Sequence, residues 1–162
     1  MIAPAPFGRL GDTPQRDYSR KLRLFNALAE PELRQAIAAL RLEPGMRVLD
    51  AGCGTGEALG WLAAAVGPEG LAVGIDLSAS HVRLARAAVP DSIALLQADL
   101  QKPPLTAASF DVVWSVNTVN HLTDPLRCTR LLASLLRSGG RLALGQSSFL
   151  PDMYFAWDAR LE

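Results

Sequence analysis

The stretch that decides the fold is Val48-Leu49-Asp50-Ala51-Gly52-Cys53-Gly54-Thr55-Gly56-Glu57. An apolar run ends on an acidic residue, and glycines at every second position lead into a segment with helical spacing. This reads as a strand, a sharp turn and a helix, the glycines permitting the turn and the close approach of a ligand to bare backbone. The carboxyl end of such a strand is where open α/β sheets bind nucleotides. Spacing then selects among nucleotides. A dinucleotide loop is G-x-G-x-x-G and sets a pyrophosphate on the helix N-terminus. Here the glycines run G-x-G-x-G, and Glu57 stands at the third dinucleotide position, where its carboxylate would repel a pyrophosphate. The Lys-Ser/Thr pair of a P-loop is missing too. The loop suits a nucleoside ligand without phosphates.

Working outward, five short apolar runs read as strands: Arg47–Ala51, Leu71–Asp76, Ile93–Gln97, Asp111–Ser115 and Arg141–Gln146. Between them, Gly56–Val66 sets Leu59, Leu62 and Val66 on one helical stripe. Ser78 caps a helix running to about Val89, with Arg83 and Arg86 toward water. The last helix has Asp124 as cap, Pro125 in its first turn and Gly139-Gly140 as its stop. Its inward residues are Cys128, Leu131, Leu132, Leu135 and Leu136. Ahead of the first strand, Tyr18, Leu22, Phe25 and Leu28 share a helical face. Pro31 opens a second helix that buries Leu33, Ile37 and Leu40, and residues 1–17 read as a flexible arm. Nearly continuous apolar strands alternating with helices predict an α/β domain, its parallel sheet covered on both faces. The chain divides into an N-terminal arm and helical lid, residues 1–42, and a core, residues 43–162.

With 162 residues, 49% of them apolar, the chain supports one domain. Sixteen basic and sixteen acidic side chains give zero formal charge, which argues against a dedicated nucleic-acid surface. No apolar run approaches the roughly 20 residues of a membrane span, and the opening MIAPAPFGRLGDTPQRDYSR lacks the pattern of a secretory signal. Two cysteines, Cys53 and Cys128, at no metal-ligand or redox spacing, read as a reduced cytoplasmic chain.

An acidic residue followed by G-x-G-x-G resembles the first motif of class I S-adenosylmethionine-dependent methyltransferases of the small-molecule type. The match is complete across Asp50-Ala51-Gly52-Cys53-Gly54-Thr55-Gly56. The resemblance implies a Rossmann-like open parallel sheet in the order 3-2-1-4-5 and S-adenosyl-L-methionine as cofactor. It implies that backbone at Ala51, Gly52, Cys53, Gly54 and Gly56 packs under the cofactor, and that Asp50 holds the methionyl amino group. Cys53 serves as a small filler, nothing nearby lowering its pKa. Asp76, with Leu77 beside it, would accept both ribose hydroxyls; NAD sites use the same device, and a cap for the next helix is the plainer role.

The stretch Leu95-Leu96-Gln97-Ala98-Asp99-Leu100 with Ser109-Phe110-Asp111 is similar to a further family motif. It implies Asp99 at the adenine amino group and the Leu100 backbone N–H at the ring, against the alternative of a surface-loop aspartate. The segment from Ser115 to Pro125 resembles the part that faces the transferred methyl group, Ser115 meeting the methionyl end through backbone or hydroxyl. His121 is the residue there whose ordinary pKa suits proton removal near neutrality, although a histidine just before a helix also serves to pack or cap.

Tyr18, Arg20, Lys21, Arg23 and Phe25 fit the lid that such enzymes place over the cofactor, or else a solvated amphipathic helix. Ser147–Trp157 offers aromatic side chains for a pocket or an interface. The family core has seven strands, while 16 residues follow Gln146, and a crossover alone takes about 10–12. That predicts a core short at its C-terminal end, completed by the arm and the tail or by a second copy in a homodimer, or else an incomplete polypeptide. Leu161-Glu162 reads as a tag remnant. The expected activity is methyl transfer to a small-molecule nucleophile by in-line displacement. A non-catalytic binding module and an NAD(P)-dependent oxidoreductase are the alternatives.

Overall fold

The computed structural model describes residues 18–146. Two helices, α1 (Ser19–Leu28) and α2 (Glu30–Ala39), precede the first strand, β1 (Arg47–Ala51). There follow α3 (Glu57–Val66), β2 (Leu71–Asp76), α4 (Ala79–Ala88), β3 (Ala94–Gln97) and β4 (Phe110–Val116). A single 3-10 turn (Val119–His121), α5 (Pro125–Ser134) and β5 (Leu136–Gly145) complete the described chain. The strands pair in parallel in the order β3-β2-β1-β4-β5, as the resemblance implies.

Side-chain alternation along β1 and β4 divides the core in two. Val48, Val112 and Trp114 pack with Leu33, Ile37, Leu59 and Leu62 under α2 and α3. Leu49, Ala51 and Val113 pack with Cys128 and Leu132 from α5 and with Leu135 just after it. Both faces are covered, so the central strands carry apolar residues on both sides, with Asp50 and Ser115 as buried polar exceptions near their carboxyl ends. Right-handed crossovers put α3 and α4 on one face and α5 on the other. The order reverses between β1 and β4, which opens a crevice at their carboxyl ends.

Several expected boundaries shift. Ile93 stays outside β3, its N–H turning back to the Pro90 carbonyl at 3.0 Å. Leu28 is exposed at the end of α1, and α2 begins two residues later. Arg86 is half-buried and donates to the carbonyls of Ile93 and Pro90, closing the end of α4. The largest shift is in α5, which stops at Ser134 rather than at Gly139-Gly140. Backbone N–H groups of Ala108, Ser109 and Phe110 take the carbonyls of Ser134 and Leu135 at 2.8–3.0 Å. The entry to β4 thus draws the chain out of the helix a turn before its glycines. Gly139, at φ +79°, and Gly140 lie instead in an irregular stretch of β5 between the pairs Phe110–Leu136 and Val112–Arg141. The arm of residues 1–17, the aromatic tail from Ser147 and the closing Leu161-Glu162 lie outside the described residues. No helix among the described residues is long and apolar enough to cross a membrane.

Candidate cofactor cleft

The glycine loop is pinned to the next strand. Gly52 and Cys53 both donate to the Ile75 carbonyl, at 2.8 and 2.9 Å, and Gly54 donates to Asp76 Oδ2 at 2.9 Å. Two glycines are required by what sits against them. Gly52, at φ +87°, touches Thr118 so closely that a Cβ would overlap that side chain. Gly54, at φ +52°, faces Leu22 of α1, and a Cβ there would lie 2.5 Å from Leu22 Cδ2. The loop is thus sandwiched between the end of β4 and α1.

Beside the loop lies a cleft of about 1150 Å³. Its floor is Asp50, Gly52, Cys53 and Gly54; Asp76, Leu77 and Leu100 form one wall, and Asn117, Thr118, Asn120 and His121 the other. α1 closes over it with Tyr18, Leu22 and Phe25, and carries Arg20 and Lys21 to the rim. Asn26 fastens α1 to the loop by donating to Glu57 Oε2 at 2.9 Å, the oxygen that also accepts from Thr55 Oγ1 at 2.6 Å.

The electrostatics are acidic. Asp50 is 2% exposed and its Oδ2 has no hydrogen-bond partner among the described residues. Burial, with the neighbouring charges of Asp76 and Glu57, pushes its pKa up to about 8. Asp76 is held from both sides: Oδ2 by Gly54, Oδ1 by the Ser78 N–H at 2.8 Å and by His81 Nδ1 at 3.2 Å. Cys53 is buried, and burial with Asp50 and Asp76 nearby pushes its thiol well up, so it is no nucleophile at neutral pH. His121 is half-buried, and desolvation holds its pKa below the usual 6.5.

Of the residues expected at the site, Asp50, Gly52, Cys53, Gly54, Asp76, Leu77, Leu100 and His121 line this one cleft. Ala51 and Gly56 lie behind it, Ala51 at the end of β1 and Gly56 at the start of α3. The Asp99 carboxylate accepts from the Gln101 N–H at 2.8 Å, outside the cleft lining. Ser115 departs from expectation in its hydroxyl. It is 1% exposed, lies outside the cleft lining and donates to the Ala51 carbonyl at 2.8 Å, so its proton ties β4 to β1. Of the expected lid residues, Tyr18, Arg20, Lys21 and Phe25 line the cleft and Arg23 does not. His81 was missed. Its signal was a polar side chain one turn ahead of Ala85 on the buried stripe of α4. Beside His121, Asn120 lines the cleft with a buried Oδ1 that has no partner among the described residues.

Residues 49–144 match the family described as methyltransferase domain. The chain belongs to that family. Among curated relatives, this methyltransferase-domain chain is 38% identical over 118 residues to 27-O-demethylrifamycin SV methyltransferase of Amycolatopsis mediterranei, covering 70% of this chain and 43% of that one. It is 37% identical over 125 residues to a ubiquinone biosynthesis O-methyltransferase of Xanthomonas campestris, covering 73% and 50% respectively. The chain thus spans about half the length of the curated relatives it matches. A solved SAM-dependent methyltransferase from Aquifex aeolicus superposes with a TM-score of 0.70 at 25% identity, over 80% of this chain and 72% of that one.

Proposed function

We propose that this chain binds S-adenosyl-L-methionine in the cleft and transfers its methyl group to a small-molecule nucleophile. The observation that carries the reading is the acidic cradle at the glycine loop, where Asp50, Glu57 and Asp76 stand close enough to raise the Asp50 pKa together with burial. Such a cradle repels a pyrophosphate and attracts a ligand carrying an ammonium and a sulfonium. The donor set fits the cofactor. Asp50, protonated below about pH 8 in the ligand-free cleft, offers a desolvated carboxyl that an arriving ammonium would ionise, Asp76 a carboxylate for the ribose, and bare backbone at Gly52 and Gly54 a floor. Leu100 stands at the adenine end, with Asp99 next to it in sequence and outside the lining.

When bound, S-adenosylmethionine supplies an electrophilic methyl group whose leaving group is a neutral thioether. The chain's share is positioning: α1 covers the cleft and excludes water, while Asn117, Asn120 and His121 face the acceptor side. His121, kept neutral by desolvation, is the group there with a lone pair to take a proton from the acceptor. Arg20 and Lys21 at the rim suit an acceptor bearing a carboxylate or phenolate, with residues 1–42 as lid and selector. The two relatives named above are methyltransferases of small molecules, which supports that acceptor class. A cytoplasmic setting fits two buried free cysteines. A second copy along the β5 edge would extend the sheet and make the protein a homodimer.

Thermal unfolding with S-adenosylhomocysteine and with NADH tests the cofactor. The expected result is a melting temperature raised by the first and unmoved by the second. The reverse would sink the reading. Turnover against a panel of phenols and carboxylic acids then separates an enzyme from a binding module.

A further inference from the structure

His81 has no part in the scheme above, yet its surroundings are unusual. It sits in the first turn of α4, is 1% exposed, and belongs to the cleft lining. Its Nδ1 lies 3.2 Å from Asp76 Oδ1, and its Nε2 is buried with no hydrogen-bond partner among the described residues. Tyr18, entering α1, sets its ring edge-on to the imidazole, with centroids 4.8 Å apart and planes at 89°. A leucine would fill this place on the buried stripe without stranding a nitrogen away from water, which costs free energy. What the imidazole adds is its contact with Asp76.

That carboxylate is set by three donors from three places. Gly54 comes from the loop after β1, Ser78 from the turn after β2, and His81 from α4. The two backbone donors are rigid parts of the fold. The third is a side chain whose other face touches the helix that roofs the cleft. We infer that His81 is a positioning residue: donating from Nδ1, it holds the Asp76 carboxylate toward the ribose, and through Tyr18 it ties that carboxylate to the docking of α1. One contact chain, Tyr18–His81–Asp76–Gly54, then links lid, cradle and glycine loop. The inference rests on reading Asp76 as the ribose acceptor.

Calorimetric titration with S-adenosylhomocysteine tests it on wild type, His81→Leu, His81→Asn, Asp76→Ala and the His81→Leu/Asp76→Ala double variant. Leucine keeps the bulk and removes the donor, whereas asparagine returns an N–H near Nδ1. The expected loss for His81→Leu is roughly tenfold in affinity, the scale of a hydrogen bond to a charged group. His81→Asn should recover most of it. In the Asp76→Ala background the same leucine substitution should cost less than about twofold, since no carboxylate remains to orient. A merely structural histidine would give equal losses in both backgrounds, and that result, or wild-type affinity in His81→Leu, overturns the inference.

Amide hydrogen exchange on the ligand-free protein reads the lid arm separately. Residues 19–28 should exchange faster in His81→Leu and in Tyr18→Ala, with β1 and β4 unchanged, and unchanged exchange in α1 refutes the tie to the lid. Should wild type fail to bind S-adenosylhomocysteine, the cofactor reading itself falls, and this role for His81 with it. If wild type binds and the variants depart from the pattern above, the inference alone falls.

Discussion

Asp50 has its Oδ2 buried and without a hydrogen-bond partner among the described residues, and it holds its proton up to about pH 8. An unfolded chain releases that proton near 3.8. Between the two values the folded state binds the extra proton, so stability falls as pH rises through the interval and levels off above it. Denaturant unfolding of the ligand-free protein should therefore show lower stability at pH 8 than at pH 5, with Asp50→Asn reducing the difference. A difference of full size in the variant would place its origin elsewhere.

His121 carries the opposite kind of shift, desolvation disfavouring its charged form. If it takes the acceptor's proton, turnover rises with pH through a value below 6.5 and then stays flat. His121→Gln should lose that limb and about 10²–10⁴ in kcat while keeping its affinity for S-adenosylhomocysteine. Unaltered kcat would return His121 to a packing role. At this scale the sequence was readable where chemistry is local. Glycine spacing and the carboxylate ending β1 announced the cradle, but nothing near Ser115 in sequence says that its hydroxyl turns inward to Ala51.

Among elements, helix starts were legible and helix ends less so. Ser78 and Asp124 cap α4 and α5, accepting from the N–H groups of His81 and Arg127. Each cap is a contact across three residues, so it is written in the sequence. The Asp124 cap is solvent-exposed and away from the cleft lining, with its Oδ1 2.9 Å from the Arg127 nitrogen. Asp124→Ala should lower stability by about 1 kcal/mol in denaturant titration and leave ligand affinity untouched. A loss near zero would mean that packing of Cys128 and Leu132 alone sets the helix start. The end of α5 was not legible because its last carbonyls are taken by N–H groups at the entry to β4.

For the molecule as a whole, the sheet has β3 at one edge and β5 at the other among the described residues. β5 runs Leu136–Gly145 with Leu144 47% exposed, a long edge of the kind that proteins usually cover. A homodimer pairing this edge predicts twice the chain mass in sedimentation equilibrium at micromolar concentration, and a dimer weakened by a proline at Leu144. A monomer mass at that concentration removes the second copy from the scheme.

By itself, the sequence determined what short-range physics controls: five strands from their apolar runs, helix starts from caps, a parallel sheet from the alternation, and a phosphate-free glycine loop from its spacing. Tertiary structure alone decided what distant segments do to one another. It set Leu22 on Gly54 and Tyr18 on His81, gave Asp50 its raised pKa, and turned α5 into β5 ahead of its glycines. Burial, hydrogen-bond capture and the mutual repulsion of carboxylates depend on which groups meet in space, and no periodicity along the chain records that.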